Sequence, residues 1–563
     1  MNYNDKLTQL RKVIKKQKLD AFIIPNSDMW QSEHPDPANQ RLKFLTGLDA
    51  SAGYAVITKD MAAVFIDKRY AVSAKEQVDT TLFDIEYYTD TPPVVWAIKN
   101  IKKGRVIGYA PWLHTRKEAK DMQKACNDTG MILEPLDRHP IDKIWTERPS
   151  HIQQTTIAIP KTISGLSTKK KLNMVALDVI HNDIEGLIIT APDSLAWLLN
   201  LRTVENSCAP GLKGIGVMNC RKRELKVYTN ADCDAFNMNE KGSFHVSFHP
   251  LSEFTTDVAL FEREVETVLV PDCVPDWLTS HLNFPGCEVI TDEDPVRMIK
   301  AIKNETEQDG IRACHKRDGK AVAKVIDIIK SAKGLTEKDV ADMLLQERQK
   351  DKTFRGVSFD TIAGWNANGA KIHGTPSTTE IKGNGLLLID SGGQYDDGTT
   401  DITRTISIGK PTKAMKEKFT IVLKAHIALA TAIFPEGTTG IQLDTIARKV
   451  MWDHGLDYAH GTGHGVGHYL NVHEGPYNIS PKSHEKISAG MLFSNEPGYY
   501  EEGAFGIRHE NLMLVQPAPK HDGFLCFETV TKVPFDEDCI LRDMLSAAEL
   551  KWLDNYQKFA RRK

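Results

Sequence analysis

Lys6-Leu-Thr-Gln-Leu-Arg-Lys-Val-Ile14, followed by Leu19-Asp-Ala-Phe-Ile-Ile24, recurs without a gap 165 residues later as Lys171-Leu-Asn-Met-Val-Ala-Leu-Asp-Val179 followed by Ile184-Glu-Gly-Leu-Ile-Ile189. In each copy, apolar residues at helical spacing (Leu7, Leu10 and Ile14; Leu172, Val175 and Val179) lead into a short Ile-rich run that reads as a buried strand. Asp28 and Asp193 follow at the same offset. Both copies then reach an apolar block, Phe44-Leu-Thr-Gly-Leu48 in one and Trp197-Leu-Leu-Asn-Leu201 in the other. Two similar α/β domains are the economical explanation.

Working outward, the second copy should end near Pro295, because Ile299 to Lys333 turns into a long, charged, helix-spaced pattern carrying Ile311, Val322, Val325, Ile326 and Ile329. The expected division is 1–142, 143–299 and 300–563, in an α/β (α+β) chain. The last piece, about 260 residues, is long enough to bury its own core. Charged residues make up 26% and apolar residues 41%, with a formal net charge of -4. That balance argues against a disordered chain and gives no electrostatic footprint for nucleic acid. No stretch approaches the ~20 apolar residues that cross a bilayer, and Met1-Asn-Tyr-Asn-Asp-Lys-Leu7 lacks the apolar core of a secretory signal. A cytoplasmic protein without membrane contact is expected. Nine cysteines without a C-x-x-C pair read as reduced, packed thiols.

The chemistry-bearing residues lie in the last third. Leu386-Leu-Leu-Ile-Asp390 is an apolar run ending in a carboxylate. After the turn signal Asp396-Asp-Gly398 the chain alternates as Thr399-Thr-Asp-Ile-Thr-Arg-Thr-Ile406. A hairpin centred between Tyr395 and Asp396 would set Asp390 opposite Asp401, with Cβ atoms about 5 Å apart. Like charges that close call for something positive between them, and two metal ions are one solution. An Asp- and Gly-rich turn taken alone is ordinary.

His460-Gly-Thr-Gly-His-Gly-Val-Gly-His468 interleaves three histidines with glycines. Four glycines at about 1 kcal/mol each weigh against a helix, so the histidine spacing is not a helical zinc motif. Glycine instead permits close backbone approach, and a histidine on such a loop can point into a cleft. His473 follows shortly. Glu496 closes the apolar stretch Met491-Leu-Phe-Ser-Asn-Glu496, and Ile507 to Val515 reads as an alternating strand in which Arg508, Glu510 and Leu512 share a face. A charge pointing the same way as core leucines needs a partner. Asp390, Asp401, His464, Glu496 and Glu510 together supply four carboxylates and an imidazole, nearly balancing two divalent cations. That hard donor set favours Mn2+, with Co2+, Fe2+ or Zn2+ also compatible.

On Ile372-His373, Asp390-Ser-Gly through Thr400-Asp401, His460-Gly-Thr-Gly-His464, Asn495-Glu-Pro-Gly498 and Arg508-His-Glu-Asn511, the chain resembles the pita-bread metallopeptidases. The duplicated half and the ending Phe527-Glu-Thr-Val-Thr-Lys-Val-Pro534 through Trp552-Leu-Asp-Asn-Tyr556 are most similar to the three-domain Xaa-Pro aminopeptidases of that family. The resemblance implies two creatinase-like domains before a pita-bread catalytic domain. It also implies that Asp390 and Asp401 bind one ion, that His464 and Glu496 bind the other, that Asp401 and Glu510 bridge both, and that hydroxide held between the ions is the nucleophile. Glu496 would shuttle the proton to the leaving proline nitrogen. His373, His460 and His473 would line the cleft and hold the substrate carbonyl and oxyanion. Arg404 and Arg508 would orient the carboxylate ligands. Phe359 and Trp365 would contribute to the pocket for proline or the N-terminal residue. The implied partners are peptides with proline at the second position and a second copy of the chain, as a homodimer. Gly374, His509 and the stretch Glu205-Asn-Ser-Cys-Ala-Pro-Gly-Leu-Lys213 depart from the family pattern without touching the ligand set. The alternatives are a prolidase-like dipeptidase, which would grip a C-terminal carboxylate, and a non-catalytic pita-bread interaction protein. Creatinase works without metals, so a filled ligand set speaks against it.

Overall fold

The computed structural model describes residues 1–101, 104–238, 244–261, 263–282 and 286–561. One compact unit comprises residues 1–156, 168–199 and 212–295 and contains two six-stranded mixed sheets. In the first sheet the order from edge to edge is Asp84–Tyr87, Ala62–Ile66, Tyr54–Thr58, Ala21–Pro25, Val106–Tyr109 and Ile132–Pro135. In the second it is His245–His249, Glu224–Thr229, Gly214–Asn219, Gly186–Ile189, Thr267–Leu269 and Glu288–Ile290. Each successive pairing has the same sense in both sheets, parallel, antiparallel, antiparallel, parallel and parallel. Ala21 and Gly186, which open equivalent strands, stand at the offset of the sequence repeat, so the duplication is one of fold as well as of residues.

The helix preceding each equivalent strand is amphipathic for the reason the spacing gives. Tyr3–Lys16 buries Leu7, Leu10 and Ile14, and Thr168–His181 buries Leu172, Val175 and Val179. Each such side chain contributes roughly 1.5–3 kcal/mol when fully removed from water. Asn2 caps the first helix by accepting from the Asp5 amide at 2.8 Å, and Lys15 and Lys16 sit in its last turn, where the helix dipole favours cations.

The other compact unit comprises residues 157–167, 200–211 and 296–563, so two short pieces of chain enclosed by the second repeat pack with the C-terminal half. The Ser207 hydroxyl donates to the Val357 carbonyl at 2.8 Å. Arg202 donates through Nη2 to the His468 carbonyl at 2.9 Å, and through Nε to that of Tyr469. The helix-spaced pattern over 299–333 falls on two helices, Pro295–Ala301 and Glu305–Ser331. The chain breaks there because Asn304 takes an extended conformation and forms a capping box with Glu307.

Two sheets carry the chemistry-bearing residues of this unit. Gly385–Ser391 is the central strand of a three-stranded sheet between Ile362–Trp365 and Ile402–Ile408. A six-stranded sheet runs Ile433–Pro435, Phe524–Thr529, Asn511–Pro517, Leu492–Asn495, Gly463–Gly465 and Glu474–Ile479. The hairpin register differs from the expected one. Asp390 pairs with Thr403 rather than Asp401, and Tyr395 pairs with Gly398, so the turn is centred between Asp396 and Asp397. Asp401 just precedes its strand and falls near Gly392, where any Cβ would meet the Thr400 carbonyl at 2.0 Å. The strand expected over 507–515 is also two, Phe505–Arg508 and Asn511–Pro517, paired into different sheets. The glycines of the histidine segment serve the fold itself, because a Cβ at Gly463 or Gly465 would lie 2.0 Å from the Ser494 carbonyl or 2.3 Å from that of Glu474.

Candidate metal centre

The ends of these strands bring together the five residues expected to bind metal. Ligand atoms of Asp401, His464 and Glu510 all lie within 4.8 Å of one another. His464 Nε2 is 3.4 Å from Asp401 Oδ2 and 3.5 Å from Glu496 Oε1. Asp390 joins through electrostatics, since Asp401 and Glu496 both disfavour its ionisation.

Four of the five side chains are held from behind. The Glu510 carboxylate accepts from Thr403 Oγ1 at 2.6 Å, and its backbone carbonyl accepts from Arg404 Nη1 at 2.6 Å. Arg404 thus grips Glu510 through the main chain and not through the carboxylate. Arg508 does touch a carboxylate directly, donating from Nη2 to Asp390 Oδ2 at 2.6 Å. Ser494 Oγ accepts from the His464 amide at 3.0 Å and donates to Glu496 Oε1 at 3.3 Å, tying those two together. His464 Nδ1 donates to the Gly465 carbonyl at 2.9 Å, which leaves Nε2 directed at the carboxylates, the orientation of a ligating imidazole.

The residues around this cluster sort into those in contact and those nearby. The His473 ring meets that of His464 edge-on at 4.3 Å. His460 Nδ1 lies 3.9 Å from Glu496 Oε2, and its Nε2 bonds the Tyr500 hydroxyl at 2.8 Å, which itself accepts from Arg508 Nη1 at 2.8 Å. His373 follows Ile372, whose carbonyl accepts from Arg508 Nη2 at 3.5 Å. Trp365, expected at a substrate pocket, is packed in the hydrophobic core with Val322, Leu387 and Ile406. His509 is buried, with its ring edge-on to Phe419 at 4.2 Å. Tyr500, Thr403 and Ser494 escaped the sequence reading, which weighed only charged and imidazole side chains. Their positions beside ligands in alternating strands are the signal that could have found them.

The electrostatics show what the cluster lacks. Burial, with Asp401 adding to it against the opposing charge of Arg508, pushes the Asp390 carboxyl up to about 7. Burial and the charges of Asp401, Glu496 and Asp390 drive Glu510 well above the carboxylate range, and burial raises Glu496. Burial opposes charging His464, but the hydrogen bond to Asp401 and the charge of Glu496 outweigh it and hold the imidazole at about 9. Asp390 Oδ1 and Asp401 Oδ1 are buried without a hydrogen-bond partner among the described residues. Unsatisfied buried carboxylate oxygens are costly, and a divalent cation removes that cost. The residues present therefore fit metal ions as ligands, with Asp390, Asp401, His464, Glu496 and Glu510 as the donors.

Residues 309–517 match metallopeptidase family M24 and 523–563 the C-terminal region of peptidase M24, while 6–138 and 147–307 each match a creatinase/prolidase N-terminal domain. The probable Xaa-Pro aminopeptidases P of Botryotinia fuckeliana and Aspergillus fumigatus are each 35% identical, over 99% of this chain and 89% of theirs. The chain belongs to metallopeptidase family M24. Within M24 it takes the form with two creatinase-like domains before the pita-bread domain, as the duplication predicts. The X-prolyl aminopeptidase of Caenorhabditis elegans, described as a cytosolic enzyme with a di-nuclear active site, matches with a TM-score of 0.93 at 29% identity, covering 100% of this chain and 95% of that one. The Pyrococcus horikoshii prolidase, at 24% identity and a TM-score of 0.54, covers only 65% of this chain and shares the fold.

Proposed function

We propose that this chain is a dinuclear metalloaminopeptidase that releases the first residue from peptides with proline at the second position. The observation that carries this reading is the convergence of four carboxylates and one imidazole on a buried spot where two carboxylate oxygens have no partner among the described residues. Full-length similarity to Xaa-Pro aminopeptidases P supports the bond specificity. Asp390 and Asp401 would hold one ion, His464 and Glu496 the other, with Asp401 and Glu510 shared. Mn2+ suits this oxygen-rich set best. When bound, the ions bring the pKa of water from 15.7 toward neutrality, so that a nucleophile exists without a strong base.

The chain's own residues do the rest. Glu496, whose carboxyl is raised above its ordinary range by burial, would accept a proton from the attacking water and hand it to the proline nitrogen, which cannot leave as an amide anion. His373, His460 and His473 line the approach to Glu496 and His464 and donate to the substrate carbonyl as it gains charge. Arg508 fixes Asp390, and Arg404 fixes the backbone of Glu510. We place the sequence domains at 1–142, 143–299 and 300–563. A homodimer formed through the catalytic domain accords with family habit, and a cytosolic setting accords with the C. elegans relative. No helix among the described residues is long and apolar enough to cross a membrane.

The test is hydrolysis of Arg-Pro-Pro and of longer and shorter Xaa-Pro peptides by the manganese-loaded chain, before and after chelation. Release of the N-terminal residue from tripeptides and longer substrates, lost on chelation, is expected. Cleavage of dipeptides alone would replace this reading with the prolidase-like one. Full activity after metal stripping would remove the mechanism, and inactivity in every condition would favour the non-catalytic interaction protein.

A further inference from the structure

Behind the ligand carboxylates lies a closed polar network that the proposed mechanism does not use. His426, on the helix Lys413–Ala430, is fully buried. Its Nδ1 is 3.0 Å from the Asn495 carbonyl and its Nε2 is 3.0 Å from Asn511 Nδ2, while Asn495 Nδ2 donates to the His426 carbonyl at 3.0 Å. Asn495 and Asn511 face each other across adjacent strands. Asn495 immediately precedes Glu496, and Asn511 immediately follows Glu510.

One donor fixes every hydrogen in this chain. Arg404 Nη2 lies 2.7 Å from Asn511 Oδ1, and a guanidinium can only donate, so that atom must be the amide oxygen. Asn511 Nδ2 then donates to His426, Nε2 must accept, and the imidazole carries its proton on Nδ1, pointing at the Asn495 carbonyl. An imidazolium would oppose Nε2–H to the amide hydrogens. Burial pushes the His426 pKa down to about 3, consistent with a permanently neutral ring.

We propose that His426 is a positioning residue, a neutral strut of one tautomer that sets the separation of Glu496 and Glu510 by tying together the residues next to them. The inference rests on the dinuclear reading above. Its measurement is manganese binding, followed calorimetrically with the metal-stripped full-length chain, together with the thermal midpoint with and without manganese. His426→Leu should weaken manganese binding about 10–100-fold, as for groups behind metal ligands, and shrink the rise in midpoint that manganese causes. A wild-type Kd in a folded His426→Leu protein would overturn the inference. Equal loss of midpoint in the stripped and loaded states would also overturn it, since that marks a merely structural residue. Should the leucine variant not fold, His426→Asn, which reaches only one of the two partners, carries the test. Binding weakened by about threefold or more supports the strut, and wild-type binding sinks it. Absence of manganese binding by the wild type would break the dinuclear reading instead.

Discussion

Glu474 and Glu510 are two buried glutamates of the catalytic unit, and they meet burial in opposite ways. Glu474 lies 2.7 Å from Lys300 Nζ and 2.5 Å from Lys303 Nζ, and it also accepts from the Tyr477 hydroxyl. Burial alone would raise its pKa, but the two ammonium groups overcome that and hold it below the usual carboxylate range. Glu510 accepts from the Thr403 hydroxyl and has Asp401, Glu496 and Asp390 as neighbours, so burial and those charges drive its carboxyl upward. A buried acid whose charge the protein neutralises is part of the scaffold. One that the protein crowds with further acids leaves that task to something else, here a cation.

The comparison can be broken most decisively at the ligands. Asp401→Asn and His464→Ala should each fold and lose kcat/KM by far more than the roughly 100-fold typical of a residue behind a ligand. Unfolding of both in circular dichroism would put these residues in the scaffold class with Glu474. The next effect is on stability. Glu474→Gln should cost about 3–5 kcal/mol in denaturant unfolding because it leaves buried ammonium groups uncompensated, whereas Glu510→Gln in metal-stripped protein should unfold at or above the parent's midpoint.

The same contrast has a signature in pH. Asp390, pushed up to about 7, binds its proton more tightly folded than unfolded, so its contribution is full below about pH 4 and lost as pH rises toward 7. Glu474, held low, contributes above about pH 4 and loses that contribution as acid titrates it. Metal-stripped protein should therefore lose stability between about pH 4 and 7, and Asp390→Asn should flatten that limb while Glu474→Gln flattens the acid one. The smallest effect is expected at the hairpin tip, where Asp396 pairs with the half-exposed Arg355 at 2.6 Å. Asp396→Asn should shift stability by less than about 1 kcal/mol and leave kcat/KM unchanged.

The repeat and the clustering of buried acidic and imidazole side chains were legible because they depend on periodicity and on residue types that burial forbids without a partner. The register of Asp390 was not. The turn signal Asp396-Asp-Gly398 allows its centre on either side of Asp396, and a shift of one residue in that centre moves every facing pair by two. The break after Arg508 was hidden as well, since apolar alternation continues across it and only pairing with different sheets separates the two strands. Trp365 illustrates a different limit, because an aromatic residue near motifs has the same sequence signature whether it lines a pocket or fills a core. His426 had no signal at all. Its partners lie 69 and 85 residues away, beyond the reach of any local pattern.

Arg202 and Ser207 give the domain architecture a practical meaning. Both are encoded within the second repeat, yet they clasp backbone carbonyls at His468 and Val357 of the catalytic unit. Cutting the gene at the obvious boundary near residue 296 would strip away two strips of polypeptide that pack with the C-terminal half. A catalytic fragment that begins there would lack the carbonyl contacts that Arg202 and Ser207 supply within its own compact unit.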